Sequence, residues 1–433
     1  MKKLRVLILS YYWPPAGGAG VQRWLKFVKY LAAKDYDIHV YTPENPEAPS
    51  NDDSLLMDIT EHITVIKKPI WEPFTFYKTL TKKKGPFNAG FLSEEAAIKT
   101  SWTEKLSMYI RANFFVPDAK MFWINPSTRF LKEYVKDHHI DLIVSSGPPH
   151  SLHLIAQKTK QATSIKWLAD FRDPWTNIDF YKDLPMTKRV DRNQKRLERS
   201  VLQEADQVVV VGEEMKKEFL AIHPDSHIEV ITNGYDSEII QQNYLDQKFS
   251  ISHIGSINAD RSHESFYQAL YELLQEENDL GKYLKLEFIG KVDVKAREFI
   301  TKYQLEEHMI FTPYLPYNEI SHLQAKAYLL YLPINNSPNA KGILTGKFFE
   351  YLAAKRPIIA QGPINGDVSK ILGETNAGSI FDFEDKEGIK NEILKHYRHF
   401  QTKDLSFESK GIEKYSRKNL SDKLDQLIVK MCS

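Results

Sequence analysis

A single cysteine, Cys432, is the first scarcity in this 433-residue sequence. One thiol excludes an intrachain disulfide and a thiolate zinc site, and it suits a reducing compartment. Long apolar runs are also missing. Nothing approaches the roughly 20 apolar residues that span a bilayer. After Met1-Lys2-Lys3-Leu4-Arg5 only Val6 to Leu9 are apolar before Ser10-Tyr11-Tyr12-Trp13-Pro14-Pro15, too short a stretch for a secretory leader. The expected location is cytoplasmic, with peripheral contact at the inner membrane face as the one membrane relation to consider. An excess of either charge is absent: the net charge is +1, without the basic surplus of a nucleic-acid binder. The local runs Lys67-Lys68, Lys82-Lys83-Lys84 and residues 188–199 read as solvated faces or as contacts to an anionic surface. The histidines show no metal-ligand spacing, and the adjacent His138 and His139 do not share a helix face. No metal site is expected. The dinucleotide fingerprint G-x-G-x-x-G is absent as well.

What is present is regular alternation. With 42% hydrophobic and 27% charged residues, the composition is that of a globular protein, and the length calls for two cores. Strand-like runs at 5–10, 38–41, 63–66, 141–145, 165–169, 207–211 and 228–231 alternate with helical periodicity. A polar stretch, 241–250, reads as a linker. Strand-like runs then resume at 251–254, 284–289, 310–311, 327–332 and 357–360. The class is α/β with mostly parallel sheets. The expected division is residues 1–245, residues 246–405, and a C-terminal segment 406–433 whose helix packs back on the first domain. In open parallel sheets ligands bind beyond the carboxyl ends of the strands, so the loops 11–20, 145–150, 170–175, 233–236, 255–261 and 341–347 hold the candidates. The stretch 70–125, rich in aromatics and lysines, suits either a core or a membrane surface, with residues 93–112 helical.

Gly17-Gly18-Ala19-Gly20 lies between a strand and a helix. Small residues there let a ligand approach free helix N–H groups, although a purely structural turn reads the same way. More specific is Thr345-Gly346-Lys347-Phe348-Phe349-Glu350. Thr345 is placed as an N-cap, the following N–H groups face an anion, and Lys347 adds charge, which together make a diphosphate seat. The run from Gly342 has the wrong spacing for a nucleotide-triphosphate loop, with Phe348 where a magnesium-binding hydroxyl belongs. Glu350 can accept from a vicinal diol such as a ribose, or can be a plain surface residue. His150, at a helix start, can bond a substrate hydroxyl or phosphate, or have a structural role only. Asp170, Arg172, Asp173 and Trp175 follow an apolar strand. Such charge density needs a ligand or an internal Arg–Asp bridge.

Taken together, Pro14-Pro15 with Gly17-Gly18, Asn233-Gly234-Tyr235-Asp236, Gly255, and Lys347-Phe348-Phe349-Glu350-Tyr351-Leu352-Ala353-Ala354 followed by Pro357-Ile358-Ile359-Ala360 resemble the retaining glycosyltransferase family 4, group 1 glycosyltransferases of the GT-B type. The resemblance implies two Rossmann-like domains facing each other across a cleft. It implies transfer of a sugar from a nucleoside diphosphate, UDP or GDP, to a glycan or lipid-linked acceptor in surface polysaccharide synthesis, with no cofactor and no metal. Gly17 and Gly18 would line the donor phosphate and sugar. Gly255, Arg261, Thr345, Gly346 and Lys347 would hold the diphosphate, and Glu350 the ribose. His150, Asp170, Arg172 and Asp173 would face the transferred sugar as the catalytic group. Two departures stand out. The family pairs two glutamates across seven residues, and the first of these positions is Gly342 here. An arginine commonly follows the glycine of the second domain's first strand, where Ser256 stands, leaving Arg261 as the later cation. A nucleotide-sugar 2-epimerase on the same fold and a non-catalytic sugar-nucleotide-binding protein are the alternatives.

Overall fold

The computed structural model describes residues 3–48, 51–60, 62–71, 102–236, 245–313, 315, 317–404 and 406–433. Most of the aromatic insertion, including Lys82-Lys83-Lys84, and much of the expected linker lie outside the described residues. By contacts the chain divides into two compact units, the first running to Thr232 and taking in Arg417–Ser433, the second covering Asn233–Ser416.

The first unit is built on seven strands: β1 (Arg5–Leu9), β2 (Asp37–Pro43), β3 (Ile63–Lys68), β4 (Leu142–Gly147), β5 (Lys166–Phe171), β6 (Gln207–Val210) and β7 (Ile228–Val230). They form one sheet in the order β3-β2-β1-β4-β5-β6-β7, and every pairing is parallel. Parallel strands need crossover helices on both faces, so both faces are buried. Period-two alternation sends Leu7, Leu9, Ile143 and Trp167 into one core and Val6, Ile8, Leu142, Val144 and Leu168 into the other. The second core is covered by helix Ala19–Ala32, through Val21, Trp24, Leu25 and Val28, and by helix Arg417–Cys432, through Leu420, Leu424 and Ile428. Asp425 accepts from Tyr36 Oη at 2.6 Å and pairs with Lys34 at 2.9 Å, fixing the terminal helix to this unit.

The second unit has six strands: β8 (Phe249–Ile254), β9 (Leu284–Ile289), β10 (Met309–Thr312), β11 (Leu329–Pro333), β12 (Ile358–Gln361) and β13 (Gly378–Phe381). Their order is β10-β9-β8-β11-β12-β13, again all parallel. Helix Gly346–Ala354 covers one face with Phe348, Phe349, Tyr351 and Leu352. Helices Glu264–Glu276 and Lys386–Thr402 cover the other with Phe266, Leu270, Leu273, Ile389 and Ile393. Helix Asp367–Thr375 and strand β13 were not expected from the sequence. Gly378 at the start of β13 reads as a turn residue, but its φ is +153° and a Cβ there would strike the Ile358 carbonyl. Glycine is needed for the edge strand to close on β12.

In each sheet the chain reverses its winding beside the first strand, between β1 and β4 and between β8 and β11. These are the points at which a doubly wound sheet opens a binding crevice. Among the described residues no helix is long and apolar enough to cross a membrane. Helix Trp102–Phe114 carries exposed Trp102 and Phe114 alongside Arg111.

Candidate active site

In the first unit, the start of the helix after β1 and the segments that end β4 and β5 are joined by one guanidinium. Arg172 donates through Nη1 to the Gly20 carbonyl at 2.7 Å, through Nη2 to the Pro148 carbonyl, and through Nε to the Gly147 carbonyl at 3.3 Å. Gly20 has no side chain because Arg172 occupies that space: a Cβ would lie 2.9 Å from Nη1. Gly18 begins helix Ala19–Ala32 with φ +98°, a backbone that favours glycine. Gly17 precedes it, buried.

His150 starts helix Ser151–Thr163, but it does not cap it. Asp118 does, accepting from Ser151 N at 2.8 Å and Ser151 Oγ at 2.6 Å. This leaves the imidazole available. Its ring stacks on Trp175 with centroids 4.5 Å apart and planes 2° from parallel. Trp175 is held by Gln194, whose Oε1 accepts from Nε1 at 2.9 Å. Behind His150 lies His153, bonded to Ser145 Oγ at 2.8 Å. Burial, with His153 and Arg172 adding repulsion, holds His150 neutral, its pKa well below the ordinary value. Burial and Arg172 push His153 down to about 3. Among the described residues His150 Nδ1 and His153 Nε2 are buried without a hydrogen-bond partner, and both crowd the open side of Gly147.

Asp170 requires a correction. It is completely buried, and its carboxylate is fully engaged. Arg23 Nη2 donates to Oδ1 at 2.8 Å, Trp24 Nε1 to Oδ2 at 2.7 Å, and Ser146 Oγ to Oδ2 at 2.9 Å. Arg23 also donates to the carbonyls of Ile231 and Thr232, each at 2.8 Å. An internal Arg–Asp bridge does exist, but its arginine is Arg23 rather than Arg172. With these donors in place, the carboxylate of Asp170 serves to hold Arg23 and the first unit's strand ends together. β5 ends at Phe171, and Asp173 lies beyond it, exposed.

In the second unit, helix Gly346–Ala354 starts beside the end of β8. Tyr351 Oη accepts from Ile254 N at 2.8 Å, which sets the helix against the strand. Thr345 is the N-cap residue by backbone geometry, yet its hydroxyl makes no capping bond, so the helix start lacks the side-chain acceptor that usually closes it. Lys347 turns back toward Gly255, whose φ is +117°; a Cβ there would collide with Nζ. The partner of the ammonium is an imidazole. Nζ lies 3.5 Å from His253 Nε2, and His253 Nδ1 lies 3.0 Å from the Tyr331 carbonyl. A carbonyl only accepts, so Nδ1 carries the proton and Nε2 offers its lone pair. Burial, then the charge of Lys347, keeps His253 well below its ordinary pKa.

Arg261 is placed by its Nε, which donates to Asn335 Oδ1 at 2.6 Å, and its Nη1, which donates to the Ser256 carbonyl at 3.2 Å. Burial first, then Arg261, pushes Lys347 down to about 7, with Glu350 opposing. Two cations brought together at a helix start are costly without an anion and favourable with one. Glu350 accepts from Gln324 Nε2 at 3.3 Å. A Cβ on Gly346 would meet nothing within 4 Å.

Gly255, Arg261, Thr345, Gly346, Lys347 and Glu350 therefore belong to one unit, and five of them gather at the β8 end and the helix start, with Glu350 one turn on. Gly17, Gly18, His150, Arg172 and Asp173 belong to loops of the other unit. Sequence reading missed Arg23, His253, Gln324 and Asn335. The available signal was a polar residue where burial is expected: Arg23 beside the apolar stripe of its helix, and His253 within an otherwise buried strand.

Two successive parallel α/β units, each with polar loops at its switch point, define the GT-B class of two-domain fold. The sequence matches Glycosyltransferase Family 4 over residues 100–239 and Glycosyl transferases group 1 over residues 235–399; the chain belongs to the group 1 glycosyltransferases and is an enzyme of that class. Among solved structures it is similar to sucrose-phosphate synthase from Thermosynechococcus elongatus (TM-score 0.63, 14% identity, 99% of both chains). It is also similar to Anabaena HepE in complex with UDP (0.64, 11%, 99% of this chain and 100% of that). WaaG, a glycosyltransferase involved in lipopolysaccharide biosynthesis, is a third (0.57, 13%, 98% and 99%). At such identities the likeness speaks for the fold. A comparison with curated proteins returned no match.

Proposed function

We propose that this glycosyltransferase takes its sugar from a nucleoside diphosphate donor, UDP or GDP, and transfers it with retention to a glycan or lipid-linked acceptor in surface polysaccharide synthesis. The observation that carries the reading is Lys347, half-buried beside Arg261 at a helix start and bonded to an imidazole instead of a carboxylate. Its charge is left for an anion. The departing diphosphate is where negative charge develops, and preorganised cations and N–H groups stabilise that charge most. Gly255, Arg261, Thr345, Gly346 and Lys347 seat the diphosphate and Glu350 takes the ribose. Gly17 and Gly18 serve the donor phosphate and sugar, while His150, Arg172 and Asp173 serve the transferred sugar and the acceptor. With two cations in this role, neither a metal nor a cofactor is required.

In the reaction the bond from the anomeric carbon to the diphosphate oxygen breaks. The acceptor oxygen bonds to that carbon on the same face, and its proton passes to the departing diphosphate. No protein carboxylate attacks the sugar, unlike many glycoside hydrolases; Asp170, committed to Arg23, is unsuited to that step. The support from relatives is that HepE has been solved with UDP and with UDP-glucose, and that WaaG acts in lipopolysaccharide biosynthesis. Exposed Trp102 and Phe114, with Arg111 on the same helix, support a peripheral membrane contact that would bring a lipid-linked acceptor near.

The test is a thermal-shift panel of UDP-, GDP- and ADP-sugars, since a ligand that binds the native state raises its stability by mass action. Anomeric analysis of the product from the sugar that stabilises most then follows. Stabilisation by UDP- or GDP-sugars and a product of retained configuration are expected. No shift with any of them, or an inverted product, contradicts the reading.

A further inference from the structure

We propose that His253 is a positioning residue for donor binding: held from behind by the Tyr331 carbonyl, it presents a lone pair to Lys347 and aims the ammonium without neutralising it. The inference rests on reading Lys347 as part of the diphosphate seat. His253 is the fifth residue of β8, whose six residues are all buried, and its side chain is wholly inside the protein. A buried polar ring is retained at low cost only when both nitrogens find partners. Here Nδ1 donates to Tyr331 O at 3.0 Å, and Nε2 has Lys347 Nζ at 3.5 Å.

The chemistry distinguishes imidazole from the other acceptors that could fill this place. A carboxylate would pair with the lysine and compete with the phosphates for it. A neutral imidazole fixes the direction of Nζ and leaves the whole charge for the ligand. On the opposite side Gly255 brings no side chain against the ammonium, since a Cβ there would collide with Nζ. The charged groups acting on Lys347 from neighbouring elements are Arg261, which repels it, and Glu350, which attracts it. Those acting on His253 are Lys347 and Arg261, both of which keep the ring neutral.

Two substitutions separate aiming from folding. His253→Asn keeps an amide N–H near the Nδ1 position, and so the bond to Tyr331, but leaves nothing at Nε2. His253→Gln returns an amide oxygen to the Nε2 position. The probe is UDP (or GDP, if the wild type prefers it), titrated calorimetrically into the full chain. The expected result is affinity lowered about tenfold by His253→Asn with an unchanged urea midpoint, and at least partly restored in His253→Gln. In a Lys347→Ala background His253→Asn should have no further effect, because a positioning residue acts through its partner. Equal losses in both backgrounds, or wild-type affinity in His253→Asn, overturn the role of His253 while leaving the seat intact. Should His253→Asn fail to fold, His253→Gln in the two backgrounds decides the same point: a loss independent of Lys347 overturns the proposal. If the wild type binds neither nucleotide, the seat itself is wrong and this inference falls with it.

Discussion

The end of β5 and the end of β8 each carry conspicuous charge, and the two have been handled in opposite ways. At β5 the carboxylate of Asp170 is met by Arg23, Trp24 and Ser146, and Arg23 spends its remaining donors on two carbonyls. At β8 the ammonium of Lys347 meets a neutral imidazole and a second cation. The first arrangement is complete within the protein and ties the end of the first unit's chain to its helix Ala19–Ala32. In the second the opposite charge is that of Glu350, which only partly offsets burial and Arg261, and the proposed seat has a bound anion supply the rest. A charged cluster at a strand end is thus not by itself a functional signal. What distinguishes scaffold from ligand seat is whether the protein already supplies the opposite charge.

The comparison breaks most sharply at Asp170. Asp170→Ala leaves Arg23 buried and uncompensated, and it should cost about 3–5 kcal/mol of stability. Urea unfolding measures this; a loss below about 1 kcal/mol would show that the pair is no scaffold. Gly255→Ala comes next. The φ of +117° alone makes alanine strained by about 1–3 kcal/mol, and the new methyl displaces Lys347, so UDP affinity should fall together with stability. Retained affinity would place the diphosphate elsewhere. Glu350→Ala should cost about 1.5 kcal/mol of binding, as for a hydrogen bond to a charged acceptor, for ribonucleotides only. Equal losses for UDP and its 2′,3′-dideoxy analogue would remove the ribose role.

The pH dependence is the smallest effect and has a definite sign. The Lys347 pKa is lowered from 10.5 to about 7, so between those values the unfolded chain binds more protons than the native one. Lys347 therefore makes native stability rise with pH across this window and stop rising above it. Nucleotide binding runs the other way. The anion favours the ammonium, so UDP should weaken by at most tenfold per pH unit above about 7, with proton uptake on binding. Titrations in buffers of different ionisation enthalpy measure that uptake. Its absence at pH 8 would mean that Lys347 is already fully charged in the free protein.

Much of the architecture was legible because parallel strands buried on both faces announce themselves as short apolar runs. The helix from Gly346 was legible because Thr345, the apolar spacing of Phe348, Tyr351 and Leu352, and Pro357 mark its two ends. β13 was not, since Gly378 signals a turn and the edge strand is only half-buried. The proposed seat was legible in Lys347 and Glu350, which lie close in sequence on one helix. Its remaining parts were not: His253 and Asn335 come from other strand ends, and only the fold brings them to Lys347 and Arg261. The Arg23–Asp170 bridge was not legible for the same reason, because the two residues stand 147 apart in the sequence.

Calorimetric titration of UDP and GDP into the wild-type chain and Lys347→Ala decides whether the β8 end seats the diphosphate on Lys347. Loss of one charge-assisted contact should weaken the preferred nucleotide by about 1.5–3 kcal/mol, while urea stability stays within about 1 kcal/mol of wild type. Undiminished affinity in the correctly folded variant would contradict the account.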